Sequence, residues 1–456
     1  MAEFFAAIGR IVFLSDDSTG ILVKMLTLFP FIAVLYYAIP VKRRPILLLI
    51  SGWLIYLLIS PYILSIVVIT TIIAYITAKQ GSKHLIISGS VFYFLILILG
   101  KGFLPQFQTI LFVGLSFFIL RLISYLIDVY KKSCEPEKDF IVFAAWAAFF
   151  PLILAGPITR AKQVIPHFRK KYKADYYDIT DGLRLMAWGF FKKFIIANRA
   201  ITIVDSTFIN INSSSGVALI FAAVLFVFWL YTELSGLTEI ARGMVQVLGF
   251  DIPSSFDRSY SARSVSAFWR RFNMSFSQWI KEYIYIPLGG NRAKPMKWVL
   301  NITIVFILAS TWYGISPQIM LLTMISLLAI MLQKLSLELR FKAMKGKKPL
   351  IVKAMDSIIT FIFFLTTLIL LRVENIGSWL YILQKVIVEF SVADIISLAK
   401  NTDIIILYLS IGTMCVCEFV DSFLLQKEET YGDLPPTIRW SGYIFWTVSL
   451  LLFAVI

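Results

Sequence analysis

"FWRRFNMSFSQWIKEYIYIPLGGNR", residues 268–292, sets Arg270, Arg271, Lys281 and Arg292 among seven aromatic residues in a chain that otherwise reads as lipid-soluble. Of the 456 residues, 59% are hydrophobic and 15% charged, with a mean hydropathy of +0.82. Such a composition implies an integral membrane protein. At membrane depth, irregular polar backbone survives only where protein or a water-filled cavity surrounds it. Residues 250–297 are therefore expected to line a funnel or re-entrant cavity, with "PLGGNR" supplying a sharp turn.

Outward from this stretch, apolar windows fall near 21–40, 46–59, 61–78, 85–99, 104–120, 140–156, 216–232, 299–315, 317–333, 355–371, 403–420 and 438–456. At roughly 20 residues per helical crossing, they predict about ten to twelve spans or part-spans. The windows are apolar on every face, whereas the strands of a membrane barrel alternate, so the expected class is an all-α polytopic helical bundle. The first apolar run follows Asp16 and Asp17 and lacks a small-residue cleavage pattern, which predicts that it is retained. Cys134, Cys415 and Cys417 have neither disulfide nor zinc spacing and are expected to pack, and no metal site is predicted. The net charge of +16 resides in loops. Lys42 to Arg44, Lys79 and Lys83, Arg160 to Lys173, and seven Lys/Arg between Lys334 and Lys353 mark cytoplasmic loops and argue against nucleic-acid binding.

Three weakly hydrophobic stretches interrupt the spans: 155–199, 249–297 and 426–439. In the first, Gly156 and Pro157 end a span, and Asp181 is placed to cap a helix. Leu183, Met186, Ala187 and Phe190 share a face of that helix, which is expected to lie along the bilayer interface with Lys192 and Lys193 snorkelling to headgroups. No internal repeat is visible, which disfavours a transporter built from paired broken helices.

"RSVSAFWRRFNMSFSQWIKEYIYIPLGGNR" from Arg263 resembles the signature of the membrane-bound O-acyltransferase (MBOAT) family, in its bacterial exopolysaccharide (alginate-type) O-acetyltransferase branch. "GLSFFILRLISYLIDVYKK" from Gly114, "FFPLILAGPITR" from Phe149, "YTELSGLTEIARGMVQVLGFDIPSSFDRSY" from Tyr231 and "LLRVENIGSW" from Leu370 resemble family blocks in the same order. Related members transfer D-alanine to teichoic acid. The resemblance implies a single transmembrane domain over 1–456, with a signature core at about 114–320 and peripheral helices at 1–110 and 350–456. It also implies a ring of helices around a thin centre, pierced by a tunnel. A cytoplasmic donor such as acetyl-CoA or an acyl carrier protein would enter one side, with no bound cofactor. A polysaccharide acceptor or extracytoplasmic acyltransferase would meet the other, in a bacterial inner membrane.

The family's central histidine follows a tryptophan in a W-H-G run, but "STWYGISP" has Tyr313 there; a second histidine's position holds Asn273. The two histidines present, His84 and His167, lie outside these blocks and are expected in solvated loops. Imidazole suits removal of a hydroxyl proton near neutral pH, whereas a phenol with a pKa of about 10 is a poor base. A phenol can still donate a hydrogen bond to a developing oxyanion, and an asparagine amide can polarise without taking a proton. Tyr313, Asn273 and Glu233 are thus the expected catalytic set, Glu233 serving as base; Glu239 is expected to pair with Arg242. Arginine suits an anionic donor phosphate, and the resemblance implies Trp269, Arg270, Asn291, Arg292, Trp312 and Ser235 as donor or substrate contacts. The competing expectation is a non-catalytic relative that binds a donor, carrier or partner acyltransferase. For the arginines, the competing role is headgroup contact.

Overall fold

The structure, a computed structural model, describes residues 16–102, 114–170, 172–292, 294–343, 350–389 and 402–426, with positions 444, 453 and 454. Every regular element among them is helical. The first half carries α1 (Asp16–Ala38), α2 (Arg44–Ile59), α3 (Pro61–Gln80), α4 (Lys83–Gly102), α5 (Ser116–Tyr130), α6 (Phe140–Ala147), α7 (Ala161–Phe168), α8 (Tyr176–Phe190) and α9 (Asn198–Ile209). The second carries α10 (Gly216–Val247), α11 (Val265–Phe272), α12 (Met274–Ile280), α13 (Pro295–Tyr313), α14 (Pro317–Ala343), α15 (Leu350–Thr367), α16 (Ile376–Val388) and α17 (Thr402–Gln426). Among the described residues, seven helices are long and apolar enough to cross a membrane: α1, α3, α10, α13, α14, α15 and α17. The chain is an all-α, multi-pass membrane protein.

Among the expected spans, one is broken and another lies almost wholly outside the described residues. The 140–156 window does not form one helix, because α6 stops at Ala147 and the chain turns through Phe150–Leu152 around Pro151. Residues 146–154 are nonetheless almost wholly buried, so this irregular backbone is enclosed by protein. The 438–456 window, like part of 104–120, lies outside the described residues apart from isolated positions.

Helix α10 is the axis of the bundle. Its first half, Leu219 to Tyr231, joins an apolar cluster with residues of α14, α15, α16 and α17, while Leu237 to Leu248 join a second cluster built largely from residues before 170. Against α10 lies α8, and the contact is made by glycines. A Cβ on Gly182 would fall 2.7 Å from the Gly243 carbonyl oxygen, and one on Gly189 would fall 2.5 Å from that of Gly236. The glycines are seven apart on each helix, so two turns of bare backbone meet and the axes approach closely.

Two expected details of α8, its cap and the lysines after it, are corrected. The cap is Asp175, which accepts hydrogen bonds from Tyr177 N and Asp178 N, whereas Asp181 sits inside the helix and pairs with Arg184 at 3.2 Å. After Phe190 the helix widens into a π-helical segment, Phe191–Ala197. The widening lets two successive residues, Lys192 and Lys193, both turn inward. They are 1% and 4% exposed and meet carboxylates, so neither snorkels. Arg44 is likewise no simple orientation marker: it is buried over the Tyr36 ring and donates to the Tyr172 carbonyl at 2.8 Å.

Candidate functional site

The signature segment folds as two short helices with a break between them. Ser264 caps α11 by accepting from Ala267 N at 3.0 Å. At Asn273 the backbone leaves the helical region (φ −151°, ψ 82°), and its Oδ1 caps α12 by accepting from Phe276 N at 3.1 Å. A π-helical turn, Lys281–Tyr285, follows α12, and Gly289 (φ 114°) and Gly290 (φ 55°) make the expected sharp turn. Buried contacts pin the segment: Trp279 Nε1 donates to Leu120 O at 3.0 Å, and Arg160 pairs with Glu282 at 3.0 Å while its guanidinium lies over Tyr283. None of these helices is long enough to span a bilayer. Residues 264–285 are mostly buried or half-buried, as a re-entrant element requires, whereas most of 286–297, expected to be enclosed with them, is exposed.

Two cavities flank the break. The larger, about 490 Å³, lies between α11–α12 and α13–α14; its lining is mostly apolar, with Arg270, Lys281, Ser277 and Thr323 among the polar groups. The smaller, about 40 Å³, is bordered by Ser116, Thr238, Ser255 and Ser275, with Trp312 and Phe256 beside them. Tyr313 and Asn273 line both. They form a shared wall between an apolar chamber with a basic edge and a small hydroxyl-rich chamber.

The wall is built by ring packing. Trp312 stacks on Phe276 with centroids 4.3 Å apart, and Tyr313 meets Phe276 and Trp312 edge-on at 6.0 and 4.9 Å. The Tyr313 hydroxyl makes no hydrogen bond to the described residues, leaving it free to donate into a cavity. The Asn273 Oδ1 is committed, since it accepts from Ser275 Oγ as well as Phe276 N. Only its amide NH2 remains for a guest.

Of the other expected residues, Trp269 and Arg270 line the larger cavity and Trp312 the smaller. Arg292 is exposed and borders neither, and the Asn291 side chain lies outside the described residues. Ser235 is buried within α10 and reaches neither cavity. Glu233, expected as the base, is held instead by Lys193, 2.6 and 2.9 Å from its two oxygens, and borders neither cavity. Glu239 does not take Arg242, which donates to the Ile252 carbonyl; its partner is Lys192 at 3.0 Å. His84 and His167 are helical rather than in loops, on α4 and α7, and line neither cavity. No carboxylate or imidazole borders either chamber, and no group of metal-ligating side chains is found among the described residues.

Sequence reasoning missed Glu418, which lies 2.6 Å from Lys192. Its signal was present, as a carboxylate in a largely apolar run is expensive unless partnered.

A model of the family described as MBOAT, membrane-bound O-acyltransferase family, matches residues 137–373. The chain is 33% identical over 208 residues to a probable alginate O-acetylase of Pseudomonas putida, covering 45% of this chain and 42% of that protein. It is 30% identical over 240 residues to a peptidoglycan O-acetyltransferase of Helicobacter pylori, covering 47% and 46%. It is 25% identical over 226 residues to a teichoic acid D-alanyltransferase of Bacillus subtilis, covering 47% and 56%. The matches span about half the length of these relatives. The matched residues hold the π-helical lysines, both cavities' shared wall and the whole signature segment, and the chain belongs to the membrane-bound O-acyltransferase family.

Proposed function

We propose that this protein is an O-acyltransferase of a bacterial inner membrane, moving an acetyl group from a thioester donor toward an envelope or exported polysaccharide. The observation that carries the proposal is the wall shared by Tyr313 and Asn273. The larger cavity suits the apolar arm of a donor such as acetyl-CoA or an acyl carrier protein, its phosphate held by Arg270 and Lys281. The smaller cavity, ringed by hydroxyls, suits the acceptor hydroxyl or the acyl-accepting end of an extracytoplasmic acyltransferase.

At the wall, the Tyr313 hydroxyl donates to the oxygen of the thioester carbonyl as the tetrahedral intermediate forms, and the Asn273 amide adds a second donor. The proton of the attacking hydroxyl leaves with the departing thiolate. Because no carboxylate or imidazole among the described residues borders either cavity, transfer is slower than an imidazole would make it. The missing base also favours a second reading, a relative that binds donor and passes it on without transfer.

The test is thioester-to-hydroxyl transfer by the purified chain beside Tyr313→His. Transfer by the wild type, raised by Tyr313→His, is expected. Donor binding without transfer in the wild type would favour the second reading, and absence of both binding and transfer would sink both.

A further inference from the structure

Glu418 lies on α17, outside the residues matched by the family, yet it is fastened to the segment that builds the cavity wall. Its carboxylate is 7% exposed and takes three donors: Lys192 Nζ at 2.6 Å and the Tyr231 hydroxyl at 2.8 Å on Oε1, and the Tyr260 hydroxyl at 2.7 Å on Oε2. Arg258 Nη1 donates to the Glu418 backbone carbonyl at 3.3 Å, and Arg258 N donates to the Tyr231 hydroxyl at 3.3 Å. Lys192 is shared with Glu239 of α10 at 3.0 Å. A carboxylate buried this deeply persists only when its oxygens are matched by donors, and here they are.

Tyr260 and Arg258 belong to segment 255–261, whose other side is bonded to the break between α11 and α12. Asp257 N donates to Arg271 O at 3.1 Å, and Met274 N donates to Ser255 O at 2.6 Å. These two bonds bracket Asn273 in sequence. Between the two sets of attachments Arg258 sits at φ +40°, a left-handed conformation that a residue with a side chain keeps only where its surroundings fix it. Ser255 and Phe256 themselves border the smaller cavity.

We propose that Glu418 is a positioning residue for the site: through Tyr260 and Arg258 it fixes segment 255–261, which in turn sets the backbone on either side of Asn273. The kinetic part of this proposal rests on the acyl-transfer function; the structural part does not.

Two variants separate the proposal from a mere tie between α17 and the bundle. Glu418→Gln removes one of the two counter-charges of Lys192, Glu239 being the other, and one tyrosine acceptor. Tyr260→Phe is gentler, since it cuts the side-chain link to segment 255–261, leaving the Arg258 bond to the Glu418 backbone carbonyl and the Lys192 and Tyr231 contacts in place. In the full chain in detergent, Tyr260→Phe is expected to speed amide hydrogen exchange about tenfold, the worth of one hydrogen bond, in peptides covering 255–261 and 272–276. Peptides of α8 and α10 should not change. For transfer, kcat is expected to fall about tenfold with the donor KM unchanged, and to fall no further when Tyr260→Phe is added to Asn273→Ala, the non-additivity of residues acting through one another. Unchanged exchange at 272–276, an increase spread evenly over the bundle, or additive kinetic losses would overturn the proposal. If the wild type transfers nothing, the exchange measurement still decides it and only the acyl-transfer function fails.

Discussion

Lys193 grips Glu233 by both carboxylate oxygens, at 2.6 and 2.9 Å, with both side chains shut off from solvent and from the two cavities. Such a pair is a tie between the π-helical segment and α10, not a base. Removing one partner strands a buried charge and costs about 3–5 kcal/mol, whereas replacing both with apolar residues of similar volume is close to neutral. Glu233→Met alone should therefore unfold at clearly lower denaturant, and Lys193→Met with Glu233→Met should recover most of the loss. The double variant should retain any transfer activity. Loss of transfer in a well-folded double variant would return Glu233 to the chemistry.

Arg270 and Arg292 look equivalent in the sequence, and the fold separates them. Arg270 borders the larger cavity; Arg292 is exposed beyond the glycine turn. Arg270→Ala should weaken binding of a thioester donor, measured by calorimetry on the detergent-solubilised protein, by roughly tenfold or more, the worth of one charge-assisted contact. Arg292→Ala should leave it unchanged. Equal loss in both would mean that the donor's phosphate sits outside the cavity.

Gly243 and Gly412 test the helix packing. A Cβ on Gly243 would meet the Gly182 carbonyl oxygen at 2.4 Å, and one on Gly412 meets nothing within 4 Å. Gly243→Ala must push α8 away and should cost about 1–3 kcal/mol, as overpacking does. Gly412→Ala removes only the flexibility of a helical glycine and should be neutral or stabilising by up to about 1 kcal/mol. Thermal unfolding in detergent distinguishes them, and equal midpoints would discount the glycine contact.

The helical class and the burial of the polar segment as far as Tyr285 were legible because both follow from local chemistry; the exposure of most of 286–297 was not. Apolar windows of bilayer length can only be helices, and a stretch such as 268–292 cannot face lipid. The ion pairs were not legible. "FFKKF" reads as two snorkelling lysines at ordinary helical spacing, and only a π-helical widening turns both toward carboxylates 40 and 47 residues away. Glu418, 226 residues from Lys192, was legible only as a costly charge without a named partner. Asn273 was half legible: its place beside the site followed from the motif, but its use as a helix cap depends on a backbone break that spacing does not reveal.

Tyr313 is the residue on which the chemistry turns, because it borders both chambers and its hydroxyl has no partner among the described residues. If its role is to hydrogen-bond the developing oxyanion, Tyr313→Phe keeps the ring packing against Phe276 and Trp312 and removes only the donor. Transfer should then fall by roughly a hundredfold, as for one lost oxyanion donor, with donor affinity unchanged. Tyr313→Trp should fill the smaller chamber, which has room for only a few atoms at about 40 Å³, and block the acceptor while the donor still binds. Steady-state transfer and donor binding on the same preparations separate the two effects. A Tyr313→Phe variant that transfers at the wild-type rate would leave the phenol as packing, and the acyl group would then have to be activated by a group supplied with the substrate.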